Sequence, residues 1–140
     1  MADYPAPQSA TAGSTVPITA GVLAYALFAL AAITTIVTAG FAFTMPLFCL
    51  FGIVGVVVCY VKRDDAAGTW VASHFTWLIR TFWWSALWAT IATIIIFTLG
   101  LILIGIPIAF AIWFVNGIWV IYRVVKGYLL FKDSRPIPGL

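Results

Sequence analysis

Few side chains in this sequence can do chemistry, and most of them fall between Tyr60 and Trp88. That stretch holds Lys62, Arg63, Asp64, Asp65, Arg80 and the only histidine, His74, with Trp70, Trp77, Trp83, Trp84 and Trp88 between them. His74 is the one side chain that changes charge near neutral pH without help. On a helix it shares a stripe with Trp70, Trp77, Thr81, Trp84 and Trp88, which places it at a membrane interface among aromatic anchors. A functional His74 would pair with Arg80, Asp64 or a ligand headgroup. Asp64 and Asp65 suit the start of the following helix, where a carboxylate meets free N–H groups and the positive dipole end. A carboxylate pair for metal or proton chemistry is the alternative. Arg80 either snorkels to lipid phosphate or makes a planar, multi-donor contact that lysine cannot copy. Its partner in the second case is a lipid phosphate, or Asp64 and Asp65 of a neighbouring subunit, and Trp77, Trp83 and Trp84 offer it an aromatic face. Further along, Arg123 and Lys126 add a second basic group. Asn116 is the one amide inside an apolar run. An amide in lipid must find a partner, so Asn116 is expected to face another helix or to line a polar path.

The remaining inventory excludes several functions. With one histidine, neither a two-histidine metal site nor bis-histidine haem ligation is available within one chain. Cys49 and Cys59 lie in one apolar segment, about 15 Å apart on a helix, too far for a disulfide. No GxGxxG, P-loop, CxxC, HExxH or GxSxG pattern occurs, and no nucleophile–base pair is evident. The expectation is a protein that is not an enzyme and carries no metal or cofactor. The net charge of +3 does not gather on one soluble basic face, so nucleic acid is not the expected partner.

These residues sit in a chain of 140 residues that is 64% hydrophobic and 8% charged, with a mean hydropathy of +1.15. Soluble domains carry about 25% charged residues. Most of the surface must therefore face lipid. At about 20 residues per span, the length fits one domain of at most about four or five spans.

Residues 1–17 are polar, small and proline-bearing, have no basic start typical of a signal peptide, and read as a disordered tail. The first span is expected over 19–39, with Gly21, Ala24, Ala31, Ala32 and Thr35 forming a small-residue face for close packing. An uncharged turn over 40–45 leads to a short second span over 46–61, opened by Pro46 and closed by Tyr60, Lys62 and Arg63. Residues 66–79 read as an interfacial helix. Thr69, Ser73, Thr76 and Arg80 form its polar stripe, and Ala67, Val71, Phe75 and Leu78 its apolar one. The third span follows over 81–101, a second uncharged turn over 100–105, and the fourth span over 107–122. Residues 123–140 form a basic C-terminal piece ending in a non-helical tail. The expected fold is thus an all-α integral membrane protein: four transmembrane helices as two hairpins within 18–131, an interfacial helical segment before the third span, and a tail over 132–140.

All seven Lys and Arg lie between spans two and three or after span four. By the rule that basic residues stay inside, both termini and the central connection are expected in the cytoplasm. Gly40, Pro46, Tyr60 and Lys62 are echoed by Gly100, Pro107, Tyr122 and Arg123. We read that echo as the common punctuation of membrane hairpins rather than as a duplication.

Tyr60, Lys62 to Asp65, the Trp70–His74 helix start, Arg80–Thr81–Phe82–Trp83, Gly105–Ile106–Pro107 and the run WVIYRVVKG from Trp119 to Gly127 together resemble a widespread group of small bacterial membrane proteins. That group is a domain-of-unknown-function family. It looks distantly similar to the magnetosome membrane proteins MamF and MmsF and to the four-helix chloroplast inner-envelope translocon component. The resemblance covers roughly residues 19–133. The distant relatives often carry a polar residue, commonly Gln, a few positions after the histidine, where this chain has Leu78. The resemblance implies a four-helix fold in the bacterial inner membrane and no particular reaction.

Two functions follow as expectations. The first is a structural or accessory protein of the inner membrane. It would bind anionic lipid headgroups or a membrane partner, or form homo-oligomers, through Lys62, Arg63, Asp64, Asp65, Trp70, His74, Trp77, Arg80, Arg123 and Lys126. The second is an oligomeric conduit for a solute or an unfolded segment, lined by Thr35, Thr93, Asn116 and Arg123.

Overall fold

A computed structural model describes residues 16–37, 45–99 and 103–139. It contains four helices, α1 (Ile18–Val37), α2 (Met45–Val61), α3 (Val71–Leu99) and α4 (Gly105–Lys132), and no strand among the described residues. The anticipated tail up to residue 15 and the turns at 40–44 and 100–102 lie outside them. α1, α3 and α4 are long and apolar enough to cross a membrane. α2 is as apolar but has 17 residues, about 25 Å of helix, against a hydrocarbon core of about 30 Å. Large apolar side chains stand exposed along all four helices, among them Ile33, Ile53, Leu87, Phe97 and Ile118. A soluble bundle would bury such side chains; in a bilayer they meet lipid tails.

Contacts between named positions show how the helices pack. Phe28 of α1 lies where a Cβ on Gly55 of α2 would stand. Thr81 and Ser85 of α3 meet Arg123 and Asn116 of α4. Gly21, near the start of α1, faces Phe131, near the end of α4. The small face of α1 is the packed one, with Gly21, Ala24 and Ala32 buried. Two glycines are required by close approach rather than by backbone angle. A Cβ on Gly127 would stand 2.5 Å from the Tyr25 hydroxyl, and one on Gly21 would stand 2.5 Å from the Phe131 ring.

Packing is concentrated at one end of the bundle. Tyr25, Ala66, Val71, Phe75, Leu78, Val124 and Phe131 form a continuous buried cluster there. Ile137 is buried at the same end, where its amide donates to Ser73 Oγ at 3.1 Å. α2 joins this cluster through Val56 and Cys59, and the Trp83 indole N–H donates to the Tyr60 hydroxyl at 3.2 Å. Toward the far end of α3, Thr90, Thr93 and Thr98 are exposed and return their hydroxyls to their own helix backbone.

Three boundaries differ from the sequence reading. Residues 62–70 are turns, so no helix starts at Ala66. α3 begins at Val71 and runs unbroken through Arg80 to Leu99, joining the anticipated interfacial segment and third span in one helix of 29 residues. Gly68 explains the late start: its φ of +77° is a left-handed conformation that suits glycine and ends helical propagation. α4 does not stop at Tyr122 but continues to Lys132. Its apolar positions Val120, Val124, Gly127 and Phe131 repeat at helical spacing across the basic residues and are all buried.

Candidate functional site

α3 and α4 are tied by a reciprocal set of bonds around Arg123. The Arg123 Nε–H donates to Thr81 Oγ1 at 2.7 Å. Thr81 donates its own hydroxyl to the Trp77 carbonyl one turn back, at 2.7 Å. The Trp77 indole N–H then crosses to the Arg123 carbonyl at 3.2 Å. The guanidinium stacks over the Trp77 ring, 3.5 Å from its centroid, with the Trp119 ring at 4.9 Å on α4. Stacking on aromatic faces is a property of the flat, weakly hydrated guanidinium that an ammonium lacks. Arg123 Nη2 is buried without a hydrogen-bond partner. Among the described residues the one ion pair is Lys62–Asp65, at 2.8 Å, so none of their carboxylates neutralises Arg123.

Above this seam lies His74, fully buried. Its Nε2 is 2.7 Å from the Arg135 carbonyl, and its Nδ1 is 2.8 Å from the Tyr25 hydroxyl. A carbonyl only accepts, so Nε2 carries the proton. In the neutral ring Nδ1 is then the acceptor, and the Tyr25 O–H donates to it. Trp70, Phe131 and Tyr25 surround the imidazole with ring centroids at 5.6, 5.2 and 5.9 Å. Every hydrogen-bonding position of the ring is filled. His74 is therefore a buried strut that joins α1, α3 and the C-terminal segment, and it is bonded to neither Arg80 nor Asp64. Of the stripe anticipated with it, Trp84 and Trp88 are exposed.

Exposed charge rims the same end. Lys62, Arg63, Arg80, Lys126, Lys132 and Arg135 are exposed, as are Asp64, Asp65 and Asp133. Asp64 and Asp65 do not cap a helix, because α3 begins only at Val71; Asp65 instead holds Lys62. Arg80 is exposed and forms no side-chain bond among the described residues. Lys126 Nζ stands 5.9 Å from the Tyr122 ring. Exposed aromatics Tyr60, Trp83, Tyr122 and Tyr128 lie next to these charges.

Deeper along the seam, Asn116 Nδ2 donates to Ser85 Oγ at 3.0 Å, which binds α4 to α3. Asn116 Oδ1 and Trp113 Nε1 are buried without partners. Between the two helices lies an open groove of about 460 Å³, lined by Trp88, Ala111, Ile112, Val115, Asn116 and Trp119. Among the described residues no group of three His, Cys, Asp or Glu is placed to hold a metal ion.

The structure thus brings Trp77 and Arg123 together and groups Lys62, Arg63, Arg80 and Lys126 at one end. It separates His74 from the charges. Sequence reasoning missed Tyr25, Thr81 as an acceptor for Arg123, and the carbonyl of Arg135. Tyr25 carried a usable signal, being a tyrosine in mid-span on the small-residue face of α1. No family model, curated protein or solved structure matches the chain.

Proposed function

We propose that this protein is a small structural or accessory protein of the bacterial inner membrane, and that its charged end binds anionic lipid headgroups. Its four helices cross the bilayer as two hairpins, with both termini and the connection over 62–70 in the cytoplasm. The observation that carries the reading is the arrangement of that end. Six exposed cations (Lys62, Arg63, Arg80, Lys126, Lys132 and Arg135) face three exposed carboxylates there, next to exposed Tyr60, Trp83, Tyr122 and Tyr128. Basic residues of membrane proteins stay on the cytoplasmic side, and aromatic rings settle at headgroup level. Each basic residue near an anionic leaflet gains about 1 kcal/mol. The resemblance to small bacterial membrane proteins supports the location. The buried cluster at that end supports a packed interfacial body rather than loose cytoplasmic loops.

The test is thermal unfolding of the full chain in nanodiscs of phosphatidylcholine alone and of phosphatidylcholine mixed with phosphatidylglycerol. The midpoint should rise with phosphatidylglycerol, and the rise should shrink when Lys62, Arg63, Lys126 and Lys132 are changed together to Gln. Equal midpoints in the two lipids would refute the reading.

A further inference from the structure

Among the described residues Arg123 has no carboxylate partner, and it stands beside Trp119, which lines an apolar groove. Its Nε is committed to Thr81 and its face to Trp77, while Nη2 has no partner. Arg80, exposed and adjoining Thr81 in the chain, adds a second positive charge that repels it. An ionisable side chain held within a membrane helix is by default a site for a partner of opposite charge. The groove of about 460 Å³ falls within the range of small-molecule sites, about 300–1,000 Å³. Trp119 belongs to both features, lining the groove and flanking the guanidinium. Asn116 turns its amide nitrogen to Ser85, and the other lining residues are apolar or aromatic. From Arg123 to Ala111 is about 18 Å of helix, against about 15 Å for the hydrocarbon of one leaflet.

We propose that the α3–α4 seam binds one anionic phospholipid, with its phosphate on the outward edge of the Arg123 guanidinium and one acyl chain in the groove below Trp119. The inference rests on the reading that the charged end faces an anionic leaflet. Charge selects the occupant. Phosphatidylcholine carries a phosphodiester but balances it with its own ammonium, whereas the phosphodiester of an anionic lipid accepts from the guanidinium with its charge uncancelled and separates two like charges. The groove requires a chain, so a free phosphate satisfies only half of the site.

The test is native mass spectrometry of the full chain, titrated with dioleoyl phosphatidylglycerol, dioleoyl phosphatidylcholine and inorganic phosphate. Val115→Trp fills the groove from a position that is 64% exposed and leaves the bundle contacts intact. Arg123→Gln removes the charge. Wild type should hold one phosphatidylglycerol per chain, and both variants should weaken it by about tenfold or more. Inorganic phosphate at the same concentration should not displace the lipid. Undiminished binding by Val115→Trp overturns the proposal, as does equal competition by inorganic phosphate or a second copy of the chain occupying the groove. If phosphatidylglycerol and phosphatidylcholine bind wild type alike, the reading of the charged end falls as well. If the preference for phosphatidylglycerol survives in both variants, that reading stands and this site alone is wrong.

Discussion

Thr81 Oγ1 lies 2.7 Å from Arg123 Nε, and this single hydroxyl serves two helices at once. It accepts from the guanidinium while donating to the Trp77 carbonyl in its own helix. Thr81 is almost fully buried, so no solvent can replace it. Thr81→Val keeps the shape and leaves a charged donor unsatisfied, which costs about 1–3 kcal/mol. Thr81→Ser keeps the hydroxyl and should recover most of that. Unfolding in one detergent decides the matter, and a loss in Ser without a loss in Val would show that the methyl group matters rather than the bond.

Gly127 and Gly52 make a matched pair. A Cβ at Gly127 meets the Tyr25 hydroxyl and ring at 2.5–3.1 Å, while one at Gly52 meets only Phe82 at 3.6 Å. Tyr25 cannot step aside cheaply, since it is buried and bonded to His74. Gly127→Ala should destabilise by about 1–3 kcal/mol through overpacking. Gly52→Ala should be neutral or stabilise by up to about 1 kcal/mol, the helical cost of glycine. Denaturant or thermal midpoints of the two variants give the comparison, and a tolerated Gly127→Ala would dispute the Tyr25 placement.

His74 holds the C-terminal segment through the Arg135 carbonyl, two residues before the Ile137 amide bonds Ser73. His74→Phe fills similar space without that donor. Exchange of the Ile137 amide with deuterium should then speed up while the exchange of mid-α1 amides stays unchanged. Unaltered exchange at Ile137 would mean that the burial of its side chain alone seats the segment.

The helices were legible because their signals are one-dimensional. The small face of α1, the apolar runs and the placement of every Lys and Arg need no knowledge of neighbours. The site was less legible because its bonds join distant residues. Tyr25 and His74 are 49 positions apart, and a tyrosine in a hydrophobic run reads as one more apolar residue. Arg123 misled for a different reason. A basic residue after an apolar run marks a membrane boundary, and that rule hid the continuing repeat of Val124, Gly127 and Phe131 that keeps α4 helical. Two aromatic neighbours of His74 were missed because they were sought on its own stripe alone, whereas Tyr25 and Phe131 come from α1 and α4.

Arg80 is exposed and its side chain has no bond among the described residues, so it contributes little to their packing. Arg80→Lys and Arg80→Ala should both unfold within about 0.5 kcal/mol of wild type, as exposed substitutions do. They should differ in phosphatidylglycerol retained through purification, with Ala losing more than Lys. A large stability loss in Lys would reveal a planar contact with a carboxylate of a second copy.

The account as a whole depends on the charged end facing the cytoplasm across a spanned bilayer. Ser134 lies at that end, and Leu103, which is 77% exposed, lies between α3 and α4 at the other. In a background with Cys49 and Cys59 changed to Ala, Leu103→Cys and Ser134→Cys are each treated in intact cells with a membrane-impermeant maleimide. The predicted result is labelling of Cys at 103 from outside, and labelling at 134 only after the membrane is opened. Labelling at 134 from outside, or at both positions from the same side, would contradict it.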